Sequence, residues 1–381
     1  MRASIWVAEE YRKIGLTPLG EDGTYFQWFN IVRTRISTTA SRVAIGGQSL
    51  ALYLDIIPLG VVPAEVSAPV VWLADVSDTT IDIRGRVVAT PVLTPAPSTI
   101  RPNSYPANVR YVDAAVAGMT ARLARRGAAA ILLVADAKSD STFDDFATMR
   151  SRGSYDVDRA APRFAGQPER VPPPPALGAG PTPAYLVRTA ATQSLMNAPL
   201  TELQLRLERF ETPSVNIIGF VRGTDPVLRN EYVLFSSHQD ANGVRYVING
   251  DSVWAGADDN GSVSVALFAA ARAFMRQPAK RSVLFVNHGS EERGLQGSRY
   301  HAAHLEGWYF CSDHVPYARL NIPALMYTTN LHDDYHTPRD TPSRIDYGKL
   351  TRMTQWMYLT GWFVANAAKR PGVDVGFRLE R

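Results

Sequence analysis

Cysteine is all but missing from this chain. Cys311 stands alone among 381 residues, so no internal disulfide can form and no thiolate-based zinc site can be assembled. No window comes near the ~20 consecutive apolar residues that a bilayer-spanning helix needs. The opening residues, MRASIWVAEEYRKIGL, carry acids where the core of a signal peptide is continuously apolar. They read as an amphipathic helix, and any secretion signal is expected to have been removed. A basic run is lacking too. The 40 Lys and Arg residues face 36 Asp and Glu spread along the chain, for a net charge of +4. With no stripe to follow a phosphate backbone, nucleic acid is not expected as a partner.

Apolar residues, in contrast, are plentiful. At 45% hydrophobic content the chain can bury a large core, and its length predicts two or three domains. Residues 2 to 15 have helical apolar spacing, and TYFQWFNIV (24 to 32) follows as a strand. Between 46 and 196 the texture changes to short β-branched runs, VVWLADV (70 to 76) and GRVVATPVL (85 to 93), separated by Pro and Gly. A helical segment, VDAAVAGMTARLARRG (112 to 127), leads into the strand AAAILLVAD (128 to 136). VPPPPALGAGPTP (171 to 183) cannot join a central sheet, because proline donates no ladder hydrogen bond, and AYLVRTAATQSLM (184 to 196) closes the region.

From 197 onward strands and helices alternate, which predicts an α/β fold: a mixed, mostly parallel open sheet flanked by helices. SVNIIGFVRG (214 to 223) and EYVLFSS (231 to 237) read as adjacent strands joined by a turn at Gly223 to Pro226. GSVSVALFAAARAFM (261 to 275) reads as an apolar helix and SVLFVNH (282 to 288) as a buried strand. KLTRMTQWMYLTGWFVANAA (349 to 368) reads as a long helix offering Met353, Trp356, Met357 and Phe363 to the core.

Four short polar segments interrupt this apolar pattern. FSSHQD sets His238 and Asp240 just past the carboxyl end of a strand, where open α/β sheets gather ligands. There His238 can bind a metal while Asp240 hydrogen-bonds its other ring nitrogen. WAGADDNGS (254 to 262) brings two adjacent acids to the start of an apolar helix. Asp259 or Asn260 could cap that helix, whereas Asp258, in apolar surroundings, calls for a counter-charge. SVLFVNHGSEERGLQGS ends a buried strand in Glu291 and Glu292. Consecutive acids suit a division of labour, Glu292 as metal ligand and Glu291 as the base that takes a proton from water. LHDDYHTPRDTP adds His336 in a short loop, with Asp340 close behind.

SSHQD, GADDNGS, EERGLQGS and DYHTPRD resemble the signature segments of the M28 family of zinc aminopeptidases and carboxypeptidases, over about residues 200 to 345. DIRGRVV and the helix ending in RRGAAAILLV are similar to the protease-associated (PA) domain inserted into several of these enzymes. The resemblance implies a catalytic domain in two parts, 1–45 and 197–381, around a β-rich PA-like insertion at 46–196. It implies two zinc ions held by His238, Asp258, Glu292 and His336, with Asp258 bridging, Asp240 supporting and Glu291 as general base. It further implies a peptide substrate, with the N-terminal residue favoured as the point of attack, and a secreted or periplasmic location.

The chain departs from the family in one place. The family's fifth ligand is an aspartate ending a strand between the Glu-Glu turn and the later Ser-Asp-His segment, and YHAAHLEGWYFC contains no such strand. A segment is expected to be missing near His304 and Leu305, which would leave one zinc ion or an inactive protein. Asp313 and His314, in SDHVPY, are expected at the rim of the site, touching substrate or the groups behind the ligands. The alternatives are a single-zinc enzyme like glutaminyl cyclase and a non-catalytic binding homologue.

Overall fold

The computed structural model describes residues 1–100, 107–157, 182–303, 313–318, 322–328, 332 and 334–372. They gather into two compact units. One comprises Met1–Val32, the chain from Tyr155 to the end of a short strand, and the chain from Glu211 on; the other comprises Arg33–Ser154 and the returning chain up to Phe210. This second unit extends further in both directions than the 46–196 interval expected for an insertion. Most of the proline-rich stretch lies outside the described residues.

The first unit is built on a mixed sheet. Its strands are β1 (Phe26–Ile36), β2 (Ser154–Val157), β3 (Leu207–Val221), β4 (Tyr232–His238) and β5 (Ser282–His288), in the order β2-β1-β3-β5-β4, with Thr17–Pro18 pairing on β3. The expected adjacency of β3 and β4 is therefore corrected: β5 lies between them. It runs parallel to β4, with His238 opposite His288, and antiparallel to β3, with Ile217 opposite Asn287. The reason is the connection. Parallel neighbours need a long crossover, usually a helix, and the helix Val263–Arg276 supplies one from β4 to β5, leaving β3 to pair with the other edge of β5.

All seven residues of β5 are buried, as in a strand covered on both faces. Val283 and Phe285 point into a core with helices α1 (Arg2–Ile14), α2 (Val263–Arg276) and α5 (Tyr347–Asn366). Leu284 and Val286 point to the other face, against Ile218, following the two-residue strand period. Helix α1 buries Val7, Ala8 and Tyr11, and ends at Gly15, whose φ of 90° closes the last turn in a left-handed conformation that favours glycine. In α5 the buried positions are Met357, Gly361 and Ala365. Trp356 and Phe363, expected in the core, are 61% and 73% exposed. The 3.6-residue period carries them past the stripe that Met357 and Gly361 share.

The second unit holds two further sheets. One has the order Ile56–Pro58, Ala184–Val187, Ala130–Val134, Val87–Pro91, Val70–Trp72; the other orders Gln48–Ser49, Arg42–Ile45, Thr201–Leu205 and Ala64–Ala68. Both contribute to one core that includes Ile56, Val87, Leu132, Tyr185 and Leu203.

Candidate metal centre

His238 is the last residue of β4, and the turn bearing Glu291 and Glu292 begins where β5 stops. Because the two strands are parallel neighbours, both arrive at the same carboxyl-terminal edge of the sheet. The turn is tight: a Cβ at Gly289 would lie 2.5 Å from the Val215 carbonyl oxygen, so the chain there passes only as glycine. Ser290 and Gly294 then bracket the acids in left-handed conformations, φ 59° and 98°.

The His238 ring is buried, and its Nδ1 donates to the main-chain carbonyl of Asp240 at 3.0 Å. That contact turns Nε2 inward, 3.1 Å from Asp259 Oδ1 and 3.7 Å from Glu291 Oε2. The carboxylate of Asp240, expected to hold the ring, stays 3.8 Å from Nδ1. It accepts instead the N–H groups of Glu291 and Glu292, at 2.9 and 3.2 Å. Asp240 thus supports His238 through its backbone and the two glutamates through its side chain.

Asp258 does not join the cluster, which corrects its expected place as the bridging ligand. Its side chain is 43% exposed and pairs with His332 at 3.2 Å, while its main-chain carbonyl and its carboxylate accept the Ser262 hydroxyl. Asp259 stands at the centre instead, with Oδ1 3.1 Å from His238 Nε2 and Oδ2 3.0 Å from His336 Nε2. The backbone enforces this choice. Gly256 has φ +67°, and a Cβ there would lie 2.2 Å from the Asp259 carbonyl oxygen. The carboxylate of Asp340, 2% exposed, accepts the N–H groups of Asp258 and Asp259 at 2.8 and 3.1 Å. The sequence left Asp259 as a possible helix cap and Asp340 as a neighbour of His336; the signals for their places here were the adjacency of Asp259 to Asp258 and an aspartate in the loop just after His336.

Glu292 and His336 complete the arrangement. Glu292 has a side chain only 4% exposed, with Oε1 3.2 Å from His336 Nε2. Asp259, Glu292 and His336 offer donor atoms all within 4.8 Å of one another, spacing suited to a single cation. His336 has φ 51°, and the Tyr335 ring stacks on it at 4.0 Å with an interplanar angle of 12°, so its direction is held from one side. Asp313 is also buried, 4% exposed, just before the short helix α4 (His314–Ala318).

The electrostatics follow from crowding acids around two imidazoles in a dry setting. Burial opposes charge on His238, yet Asp259, Glu291, Asp240 and Asp313 overcome it and hold its pKa well above the ordinary value. His336 behaves alike: burial works against the charged ring, but Asp259 and Glu292 raise its pKa to about 9. Burial would raise Asp259, but the two histidines win and keep it ionised far below the usual range. Burial and the neighbouring acids Asp313, Glu292 and Asp240 push Glu291 up to about 8 against the pull of His238. Burial pushes Asp313 up to about 6 and the His314 ring down. Asp259, Glu291 and Glu292 take His238 and His336 as their ion-pair partners. Two imidazoles against this many carboxylates leave a surplus of negative charge, and the N/O donors fit a borderline divalent cation such as zinc.

Residues 216–308 and 304–360 match the model of Peptidase family M28. Among solved structures, the chain is similar to the aminopeptidase from Aneurinibacillus sp. strain AM-1, with a TM-score of 0.51 and 15% identity over 100% of this chain and 90% of that one. It is similar also to BSAP, a zinc aminopeptidase from Bacillus subtilis, with a TM-score of 0.51 and 16% identity over 97% of this chain and 90% of that one. At such identity these likenesses show a shared fold. No curated protein sequence matches the chain.

Proposed function

Starting from a chain that belongs to peptidase family M28, and is on that account a metallopeptidase, we propose an exopeptidase, in the first instance an aminopeptidase. In this reading zinc is held by His238, Asp259, Glu292 and His336, and Glu291 is the general base. The observation that carries it is Asp259, whose two carboxylate oxygens face the inward nitrogens of two different histidines at 3.1 and 3.0 Å. A carboxylate so placed can serve two cations at once.

Zinc supplies a Lewis acid that polarises the scissile carbonyl and lowers the pKa of water. The protein's own groups do the rest. Glu291 lies 3.7 Å from His238 Nε2 with its side chain 17% exposed, inside the cluster yet reachable. Its pKa near 8 suits a group that must accept a proton from the attacking water and then give it to the departing amine. Asp240 and Asp340 hold the backbone on which Glu291, Glu292 and Asp259 sit. The second unit is assigned as a PA-like insertion on the likeness of DIRGRVV and RRGAAAILLV, and a location outside the cytoplasm rests on the same family likeness.

The test is hydrolysis of short peptides with free or acetylated N-termini, with and without a chelator. Chelator-sensitive release of the first residue from free peptides alone is the expected result; cleavage indifferent to the chelator would refute the reading. The compact group of Asp259, Glu292 and His336 also favours, as a second reading, a single-zinc cyclase. A glutaminyl peptide separates the two, since cyclisation releases ammonia and leaves the peptide bond intact.

A further inference from the structure

The structure assigns Asn216, His288 and Tyr317 as positioning residues for the turn that carries Glu291 and Glu292. The assignment rests on the zinc-peptidase reading and adds to it a second hold on that turn, separate from the one Asp240 provides. Asn216, on β3, ties both ends. Its Oδ1 accepts the Gly289 N–H at 3.1 Å, and its Nδ2 donates to the Gly297 carbonyl at 3.0 Å and to Gln27 Oε1 at 2.9 Å. A backbone N–H can only donate and a backbone carbonyl can only accept, so this amide stands one way round. The two ends of the turn are in close contact as well: a Cβ at Gly297 would lie 2.3 Å from the Gly289 carbonyl oxygen and 2.4 Å from Asn216 Oδ1.

The same reasoning directs the groups behind Asn216. His288 Nδ1 lies 3.4 Å from Asn216 Oδ1, an acceptor, so Nδ1 carries the ring proton. Burial, with the charges of His301 and His238, holds the His288 pKa well below the ordinary value, so the ring is neutral and Nε2 keeps its lone pair. The Tyr317 hydroxyl, on α4, donates to that nitrogen at 3.2 Å. Its oxygen accepts in turn from Nδ1 of His301, on helix α3 (Gln296–Ala303), at 2.7 Å. All four side chains are buried, where a polar atom left without a partner is costly. Removing the Tyr317 hydroxyl strands the Nε2 lone pair, and the ring regains a partner only by leaving Asn216. The residue that ties the turn is then held less firmly, and the two glutamates with it.

Two measurements on the zinc-loaded protein test the assignment. Ring-nitrogen NMR shifts of wild type should show His288 neutral and protonated on Nδ1; a proton on Nε2 overturns the relay. Steady-state hydrolysis of a peptide with a free N-terminus should show kcat ~10–100-fold lower in Tyr317→Phe, the usual effect of losing a group behind a site. KM should change little, because the buried hydroxyl acts on the turn and not on bound substrate. In a His288→Leu background the same Tyr317→Phe change should lower kcat no further, since both residues act along one path. Losses that multiply overturn the proposal, as does full activity in Tyr317→Phe. Should the Leu variant fail to fold, the wild-type tautomer and the Tyr317→Phe rate decide the matter. An active wild type matched by Tyr317→Phe leaves the peptidase reading intact, whereas no peptide cleavage by wild type sinks both.

Discussion

Asp340 accepts the backbone N–H of Asp259 at 3.1 Å across 81 residues of chain, so a carboxylate outside the cluster decides where the central donor stands. Removing it should release the 258–259 backbone. Asp340→Ala is expected to weaken zinc binding ~10–100-fold, the usual effect of losing a group behind a ligand. Competition with a chromogenic chelator measures this, and an unchanged affinity would contradict the role.

Asp258 and Asp259 are neighbours with opposite expected sensitivities. Asp258→Asn alters a half-exposed side chain and should leave peptidase activity within about twofold, as for changes of ~0.5 kcal/mol at a surface. Asp259→Asn removes the oxygen pair shared by His238 and His336 and should abolish both activity and stoichiometric zinc. Parallel assays of the two variants check the assignment, and the reverse ranking would restore Asp258 as the bridge.

For Glu291→Gln, zinc content should persist while kcat falls ~10²–10⁴-fold, the contribution of a positioned acid–base group. The expectation separates proton transfer from metal binding, since Glu291 is not among the grouped donors. Loss of zinc in this variant would reclassify Glu291 as a ligand.

The metal-free protein should lose stability as pH rises from about 5 to 9. Glu291 has its pKa raised from 4.5 to about 8 and His336 from 6.5 to about 9, so the folded state binds more protons than the unfolded chain in this window. The His336 contribution is complete below about pH 6.5 and gone above about 9. Zinc binds deprotonated donors, so its stabilisation should grow over the same interval. Thermal melts with chelator and with excess zinc would show the two curves diverging; a chelated protein that gains stability toward pH 9 would count against the charge arrangement.

Away from the site, Gly361 lets α5 lie against β4. A Cβ there would fall 2.1 Å from Phe235 Cζ, so Gly361→Ala should cost ~1–3 kcal/mol by overpacking, read as a lower denaturant midpoint. An unchanged midpoint would show that the contact can relax.

The sequence by itself determined the elements and the neighbourhoods of the site. Apolar runs such as SVLFVNH, and the helical spacing of Val7, Ala8 and Tyr11, are local properties that burial must respect, and they marked β5 and α1. The polar breaks after β4 and β5, and the late His336, likewise stood out against the apolar background. Tertiary structure alone decided the rest. Two adjacent aspartates have the same side-chain chemistry, and it takes the left-handed turn at Gly256 together with Asp340, 81 residues away, to hold the backbone that turns Asp259 inward. The insertion of β5 between β3 and β4 depended on a helical crossover, and the exposure of Trp356 and Phe363 on the angular position of a stripe about α5. Convergence of side chains is a property of distances across the fold, which periodicity along the chain does not encode.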